Sequence, residues 1–474
     1  MSSTSPKPAP QTGWNTARSV ILCGASVRSL AESAIAAGFH PLCVDFFEDE
    51  DLKNLLGSGR GRFVGRINSF QQIPQVIRSV RKSIPLLWAG GLENHTDLLR
   101  DISNTRVVIG PDLECVDQLR NPWKLHDWLT KAGIDVPRLA TDATAESDCH
   151  WLRKSVTSSG GLGVGNNVAA GLTDAASNAG TVQTDVHVMV APLRNETIDK
   201  AEVPAAPRFA RSGLQLRDVY LQEYIDGVPM SATFCADESG LHLFGMCLQL
   251  TGWPCLGASD FLFCGNVGPV DSGEAVMRKV VAIARVLIEC SGLRGVFGLD
   301  FILRQGRVWL LEVNPRLTAS HMLYELQQPG LLVHRHLAAL GWKSARPRRS
   351  LESSESRLLV PPSPVSTRLI FWARSDVCIP ERFGEQSPFA PKSTLRIADC
   401  PQPGSVVRKS SPLCSLHVTA CDSDSLQRQL IALEERWREG QSPSIDDLLR
   451  MGFSTQAIAK QMQMLRGKFE RNRG

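Results

Sequence analysis

The chain has 474 residues, which is too long for one ordinary core and predicts about three domains at roughly 150 residues each. Hydrophobic residues make up 43% and charged residues 21%, a composition that excludes a fibrous or disordered chain. The net charge of +4 is small and the basic residues are scattered, which argues against nucleic acid as a partner.

The N-terminus and the cysteines indicate the compartment. Residues 1–18 are polar and Pro-rich, lack the apolar core of a signal peptide, and are interpreted as a disordered tail. No apolar run of about 18 residues predicts a membrane span. The 13 cysteines include no C-x-x-C pair. We therefore expect a cytoplasmic protein with reduced thiols and no membrane partner.

The first folded unit is predicted at residues 19–118. Short apolar strands at 20–23, 41–45, 85–89 and 106–109 are separated by helical patterns. Alternation of strand and helix is typical of a parallel α/β domain.

A second unit is predicted at residues 119–342 with α+β character. Its predicted helices are 121–132 and 273–290, and its predicted strands are 149–156, 186–191, 219–223, 241–248, 295–303 and 307–313. Beyond it we predict a linker at 343–365, a small β-rich domain at 366–438 and a basic helical appendix at 439–474.

The strongest motif is G-L-D-F-I-L, R-Q-G-R and V-W-L-L-E-V-N-P-R, at 298–303, 304–307 and 308–316. Two strands around a turn would carry Asp300 on one side, and Glu312 and Asn314 on one face of the other. Such oxygen ligands suit Mg²⁺ bound together with nucleotide phosphates. The alternative is a hairpin whose exposed acids pair with neighbouring arginines. Glu312 lies in an apolar run, where an unpaired carboxylate is costly, and this favours the metal hypothesis.

Two further motifs suit phosphate. Arg316 follows the hairpin, and a guanidinium matches phosphate or carboxylate oxygens bidentately. Lys154 ends a strand just before a Gly/Ser loop at 158–163, whose backbone N–H groups can approach phosphate oxygens. No Gly-Lys-Ser/Thr follows, so this is not a Walker loop, and a plain hairpin tip is the alternative.

Two weaker features complete the set. The segment L-Q-E-Y-I-D-G-V-P-M-S at 221–231 is a strand leading into a turn, which can bind adenine through its backbone with Gln222 or Glu223 near the amino group. By itself it is an ordinary strand end. Lys124, in N-P-W-K, is by itself an ordinary solvated helix lysine.

Taken in order, these segments resemble the ATP-grasp superfamily over residues 19–340. The resemblance implies an ATP-grasp fold with an N-terminal Rossmann-like pre-ATP-grasp domain, and ATP with Mg²⁺ or Mn²⁺ as cofactors. The nucleotide-binding residues it implies are Lys124, Lys154, Ser158, Ser159, Gly160, Gly161, Gly163, Gln222, Glu223, Tyr224, Ile225 and Asp226. It implies metal binding by Asp300, Glu312 and Asn314, and catalytic roles for Lys154 and Arg316.

The segment C-G-A-S-V-R-S-L-A-E at 23–32, with G-G-L-E at 90–93 and A-D-C-P-Q-P-G at 398–404, resembles a branch of predicted ATP-dependent carboligases. Some of its members, such as tyramine-glutamate ligase, are associated with methanofuran or tetrahydromethanopterin synthesis. The likeness implies a carboxylate-amine or carboxylate-thiol ligase acting through an acyl phosphate. Its partners would be a small carboxylate and an amine, and a homodimer is compatible with it.

Several alternatives stay open at this point. Gly24 and Asp45 are suited to a nicotinamide-dependent oxidoreductase, but Ser26 and Ser29 occupy later glycine places of that fingerprint. An ATP-binding regulatory protein, a phosphotransferase and a bicarbonate-using carboxylase are further candidates. Pro229 lies near the place where many ATP-grasp proteins hold ribose with an acid, so the ribose contact is open. The loop at 252–269 is a candidate for the acceptor site.

Overall fold

The structure is a computed structural model that describes residues 18–57, 59–141, 149–157, 160, 164–167, 219–326, 328–342, 364–381, 383, 395–438 and 446–473. The predicted strand at 186–191 lies outside these described residues. Within them, no helix is both long enough and apolar enough to cross a membrane. All 13 cysteines are free thiols.

The N-terminal unit is a parallel sheet covered by helices, as predicted. Its strands are β1 Ser19–Cys23, β2 His40–Asp45, β3 Arg62–Arg66, β4 Leu86–Trp88 and β5 Val108–Ile109. Its helices are α1 Arg28–Ala36, α2 Glu50–Leu56, α3 Ile73–Val76, α4 Thr96–Ser103 and α5 Leu113–Arg120. The strand order β3-β2-β1-β4-β5 places the change of direction between β1 and β4. Ligands bind at such a point, outside the carboxyl ends of the strands.

The sequence did not predict β3. Its residues are partly or fully exposed, and it begins and ends with arginine. A half-exposed strand at the edge of a sheet has no continuous apolar run, so the pattern that marks a buried parallel strand is missing.

Next along the chain come helix α6 Pro122–Lys131 and a small sheet. Its strands are β6 Leu139–Ala140, β7 Trp151–Ser155, β8 Gly165–Asn167 and β9 Val219–Glu223. They pair in the order β6-β9-β7-β8, and every adjacent pair is antiparallel.

A large sheet follows. Its strands are β10 Val228–Asp237, β11 Gly240–Thr251, β12 Phe263–Gly268, β13 Gly295–Arg304, β14 Arg307–Asn314, β15 Val365–Trp372, β17 Leu395–Ala398 and β19 Pro412–Ala420, in the order β14-β13-β10-β11-β12-β15-β19-β17. Strands β16 Val377–Cys378 and β18 Val406–Val407 form a separate pair. The C-terminal strands therefore extend the same sheet as the hairpin β13–β14.

The helices of this half are α7 Glu274–Ser291, α8 Leu331–Ala339, α9 Ser423–Arg438, α10 Asp446–Arg450 and α11 Thr455–Arg473. Apolar side chains of α7 pack on β10, β13 and β14 in one core. Side chains of α9 and α11 pack on β15 and β19 in another.

The predicted hairpin is confirmed. Strands β13 and β14 are joined by Gln305 and Gly306, whose φ angles are +49° and +69°. Two positive φ angles define the hairpin turn whose twist matches its strands, and glycine tolerates the second position without steric cost.

The sequence missed strand β10, which pairs with β13 on one side and β11 on the other. A strand buried on both faces has no clear alternation of apolar and polar residues. In addition, a proline such as Pro229 argues against a central strand. The proline is tolerated because it is the second residue of the strand.

His336 of α8 gives a pH prediction for stability. It is buried and accepts a hydrogen bond from the backbone N–H of Val296 on β13 (Nδ1 to N, 2.9 Å). Burial lowers the pKa of His336 from 6.5 to about 4. The folded state therefore holds His336 neutral, whereas the unfolded state binds a proton below about pH 6.5. The stability that this gives above pH 6.5 is lost as the pH falls toward 4. We expect on the order of 3 kcal/mol to be lost over this interval.

The measurement is denaturant unfolding from pH 7 to pH 4. In His336→Gln the amide oxygen can still accept from Val296 without titrating, so the pH dependence should be flatter than in the wild type. His40→Gln, at an exposed position, should keep the wild-type dependence. Parallel curves for wild type and His336→Gln would refute the assignment.

Candidate functional site

A cavity of about 1610 Å³ lies between the small sheet, the large sheet and the N-terminal unit. Its lining includes the apolar side chains of Leu152, Ile302 and Leu311 and the loops after β1, β2 and β4. Ligand sites usually occupy about 300 to 1,000 Å³. This cavity is therefore large enough for a nucleotide together with a second substrate.

The hairpin brings its carboxylates together through a β-bulge. Near the turn, Phe301 pairs with Leu310, but Asp300 pairs with Glu312, so Leu311 is the extra residue. The Nδ2 group of Asn314 donates to Oδ2 of Asp300 (2.9 Å) and lies 3.5 Å from Oε1 of Glu312. The bulge therefore places both acids and the amide on the cavity side of the sheet.

The two acids have opposite pKa shifts. Burial and the adjacent carboxylate of Glu312 raise the pKa of Asp300 to about 8. Burial also opposes ionisation of Glu312, but the charges of Arg120 and Lys154 outweigh it and lower the pKa of Glu312. Adjacent carboxylates cannot both ionise at low cost without a cation between them. This is the electrostatic condition that a bound divalent cation relieves.

The donor set fits Mg²⁺ that keeps part of its shell from water and phosphate. No cluster of three or more His, Cys, Asp or Glu side chains suited to a metal occurs among the described residues. The site offers two carboxylates, which is typical for Mg²⁺ bound with a nucleotide. The Nδ2 group of Asn314 donates to these carboxylates, and its Oδ1 accepts from Arg316 (3.2 Å). The amide must therefore flip before its oxygen can bind a cation beside the carboxylates.

Arg316 connects the hairpin to the N-terminal unit. Its Nη2 donates to Oε1 of Glu93 (2.7 Å), and both side chains are buried. Glu93 is fixed in turn, because its Oε2 accepts from the N–H of Gly91 (2.7 Å). Although burial opposes ionisation of Glu93, the charge of Arg316 lowers its pKa. Arg316 Nε is buried and has no hydrogen-bond partner among the described residues, and the side chain lines the cavity.

Lys154 and Gln222 lie on neighbouring strands of the small sheet. Nζ of Lys154 donates to Oε1 of Gln222 (3.0 Å), and both residues are buried at the cavity wall. After β9, the backbone N–H of Tyr224 donates to the carbonyl of His150 (2.8 Å). The segment 224–227 between β9 and β10 is called the hinge below. The carboxylate of Glu223 accepts from Arg138, so its side chain supports the start of the hinge.

The structure brings most of the predicted site residues to this one cavity. Those that line it are Lys154, Gly160, Gln222, Glu223, Tyr224, Ile225, Asp300, Glu312, Asn314 and Arg316. Ser158, Ser159, Gly161 and Gly163 lie outside the described residues. Lys124 is exposed on α6 and does not line the cavity, and Asp226 binds Lys468 instead (Oδ1 to Nζ, 2.8 Å).

Several cavity residues had no assigned role in the sequence. Gln249 donates to Oδ1 of Asp300 (2.8 Å), and Asn266 and Arg368 follow it across β11, β12 and β15 in register. Arg368 binds Asp399 (2.8 Å), an acid of the A-D-C-P-Q-P-G motif. Gln249, Asn266 and Arg368 are far apart in sequence and become neighbours only through strand register. The sequence therefore indicated only the motif that contains Asp399.

The carboxylate of Asp45 has a structural role. Its carboxylate accepts from three backbone N–H groups, those of Val27, Phe47 and Glu48, at 3.0 to 3.2 Å, and its side chain is fully buried. A ribose-binding acid must face its ligand. The nicotinamide alternative therefore loses its key residue.

Residues 205–320 match the ATP-grasp domain family. The whole fold is similar to N5-carboxyaminoimidazole ribonucleotide synthetase from Thermus thermophilus, with a TM-score of 0.55 and 14% identity, over 88% of this chain and 98% of that one. The chain has the ATP-grasp fold. The predicted superfamily and mixed α/β fold are thereby confirmed, while the carboligase branch stays a prediction.

Two biotin carboxylases share this ATP-grasp fold. The enzyme from Campylobacter jejuni, solved as a beta-gamma-ATP complex, gives a TM-score of 0.59 and 15% identity over 94% of this chain and 98% of that one. The biotin carboxylase domain of Hydrogenobacter thermophilus 2-oxoglutarate carboxylase, solved with MgADP and bicarbonate, gives 0.59 and 12%, covering 92% and 98%. No curated protein sequence matches the chain significantly.

Proposed function

We propose that this ATP-grasp protein is an ATP- and Mg²⁺-dependent ligase that activates a small carboxylate and joins it to an amine. The observation that carries the proposal is the single cavity that Asp300, Glu312 and Arg316 share with Lys154 and the hinge after β9. In this arrangement the acids would bind the cation and the buried lysine would bind phosphate. The hinge and the apolar side chains beside it would bind the base.

The reaction has two balanced steps. A carboxylate oxygen of the acid attacks the γ-phosphorus of ATP, and ADP leaves with the bond electrons. The amine then attacks the acyl carbon, loses a proton, and expels phosphate. Mg²⁺ supplies charge neutralisation of the phosphates when bound. Lys154 and Arg316 would stabilise the oxygens on which charge accumulates, because such donors act strongly in a dry site.

The acid would bind beyond the phosphates, where the cavity meets the N-terminal unit. Arg316 Nε, Arg368 Nε and Asn266 Oδ1 are buried without hydrogen-bond partners among the described residues, and all three side chains line the cavity. Buried polar atoms are normally hydrogen-bonded. Two cationic donors and one acceptor support a ligand that carries a carboxylate and an N–H or O–H group.

Bicarbonate is the second candidate for the acid. The two similar biotin carboxylases are carboxylases by name, and one was solved with bicarbonate and MgADP. Bicarbonate carries the same attacking oxygen, so the described site supports it by the same chemistry. The role in methanofuran- or tetrahydromethanopterin-type synthesis is a proposal from the sequence branch, as is a homodimer.

The test is to incubate the protein with Mg-ATP and one acid at a time, with and without an amine, and to measure ADP, AMP and phosphate. Glutamate with tyramine and labelled bicarbonate are the first probes. We expect ADP and phosphate in equal amounts, dependent on the acid. No turnover with any acid, together with a melting temperature that Mg-ATP leaves unchanged, would refute the proposal.

A further inference from the structure

The C-terminal helix α11 packs against strands β10 and β13 of the large sheet. Its first half packs in the core of the C-terminal strands through Ile458, Ala459 and Met462. Its last turns pack in the core beneath the hairpin, where Phe469 is 4% exposed. Leu465 contacts both cores. The helix therefore joins the C-terminal strands to the part of the sheet that carries the candidate metal ligands.

The end of α11 is hydrogen-bonded to the turn of the β13–β14 hairpin. The carbonyl of Asn472 accepts from the N–H of Gly306 (2.7 Å), and its Oδ1 accepts from the N–H of Gln305 (3.0 Å). The last carbonyls of a helix lack partners within the helix. The N–H of Gly306 supplies a partner for one of them, that of Asn472, and the side chain of Asn472 in turn satisfies the N–H of Gln305.

A second contact joins α11 to the hinge. Nζ of Lys468, one helical turn before Asn472, donates to Oδ1 of Asp226 (2.8 Å). Asp226 directly follows Ile225, which lines the cavity. Asn472 Nδ2 donates back to the carbonyl of Lys468 (2.8 Å), so the two contact residues are themselves linked.

Hinge and hairpin also touch each other at this corner. A side chain added at Gly227 would lie 2.3 Å from Cγ2 of Ile302 and 2.7 Å from the carbonyl oxygen of Leu303. Hinge and hairpin are therefore packed without a gap. The end of α11 therefore contacts both the hinge and the hairpin whose strands carry Asp300 and Glu312.

We propose that Lys468 and Asn472 are positioning residues that hold the hinge and the hairpin in the geometry that binds Mg-ATP. The inference rests on the proposed nucleotide site. The side chains of Lys468 and Asp226 are 39% and 69% exposed, and exposed ion pairs contribute little to global stability. Their effect should therefore be visible in nucleotide affinity and absent from the melting temperature.

The test measures binding of Mg²⁺ with a non-hydrolysable ATP analogue to the full chain by calorimetry, alongside thermal melting. We expect Lys468→Ala to raise the Kd about threefold to fivefold with an unchanged melting temperature. Lys468→Arg should restore the wild-type Kd, because an arginine still reaches the carboxylate. Asn472→Ala should raise the Kd by a similar factor.

The matched control is Arg466→Ala. Arg466 lies on the same helix and makes an exposed ion pair with Asp424, away from the hinge, so its removal should leave the Kd unchanged. Equal Kd values for wild type, Lys468→Ala and Asn472→Ala would overturn the positioning role while leaving the nucleotide site intact. A wild-type protein that does not bind the analogue would overturn the proposed function and this inference together.

Discussion

Replacing Glu312 by glutamine is expected to lower ATP turnover by at least about a hundredfold to a thousandfold, the cost of removing one charge-stabilising group from an active site. The same variant should lose the thermal stabilisation that Mg-ATP gives, which is about 2.7 kcal/mol at a hundred times the Kd. Turnover is measured as ADP release, and stabilisation by melting with and without Mg-ATP. Both effects follow if Glu312 is one of the two carboxylates that hold the cation.

The fold of Glu312→Gln should stay intact. The cations near Glu312 keep other partners, since Lys154 binds Gln222 and Arg120 donates to Asn94 (3.1 Å). Removing the charge of Glu312 loses its attraction to these cations but also removes its raising effect on the pKa of Asp300, so the melting temperature without nucleotide should change little. Glu274→Gln, which changes an exposed acid on α7, is the control with wild-type turnover. Near-normal turnover in Glu312→Gln would contradict the metal assignment.

The hairpin shows what the sequence could and could not predict. Its turn and its two strands were predictable because Gln305 and Gly306 are local turn residues between apolar runs. Counting back from that turn pairs Asp300 with Leu311, and only the β-bulge brings Glu312 opposite Asp300. A bulge depends on packing across the sheet, so a single sequence gives no local signal for it.

Contacts between distant segments set the remaining limit. Glu93 and Arg316 are 223 residues apart, and the polar row from Gln249 to Arg368 exists only through strand register. Lys124 shows the opposite error. Its motif fits the family, but the structure places this lysine on an exposed helix outside the cavity. Motif order could predict most of the residues that share one cavity, whereas the docking of the N-terminal unit and of α11 could not be predicted from periodicity.

Replacing Arg316 by methionine is expected to lower the free energy of unfolding by about 3 to 5 kcal/mol, because Glu93 is left buried without its partner. Turnover should fall at least about a hundredfold, as Arg316 would also stabilise charge on the transferred phosphoryl group. Denaturant unfolding measures the first effect, and ADP release at saturating Mg-ATP measures the second. The single variant cannot separate the two roles, since an altered fold also lowers turnover.

The double variant Arg316→Met with Glu93→Gln separates them. Glutamine at 93 can still accept from the N–H of Gly91 and carries no charge, so most of the lost stability should return. Turnover should stay low, because residue 316 no longer presents a guanidinium to the cavity. Glu93→Gln alone should lower turnover by only about tenfold, the lower end of the loss typical for a supporting contact, since it leaves Arg316 in place. If the double variant recovers both stability and turnover, Arg316 only neutralises Glu93, and the catalytic assignment is wrong.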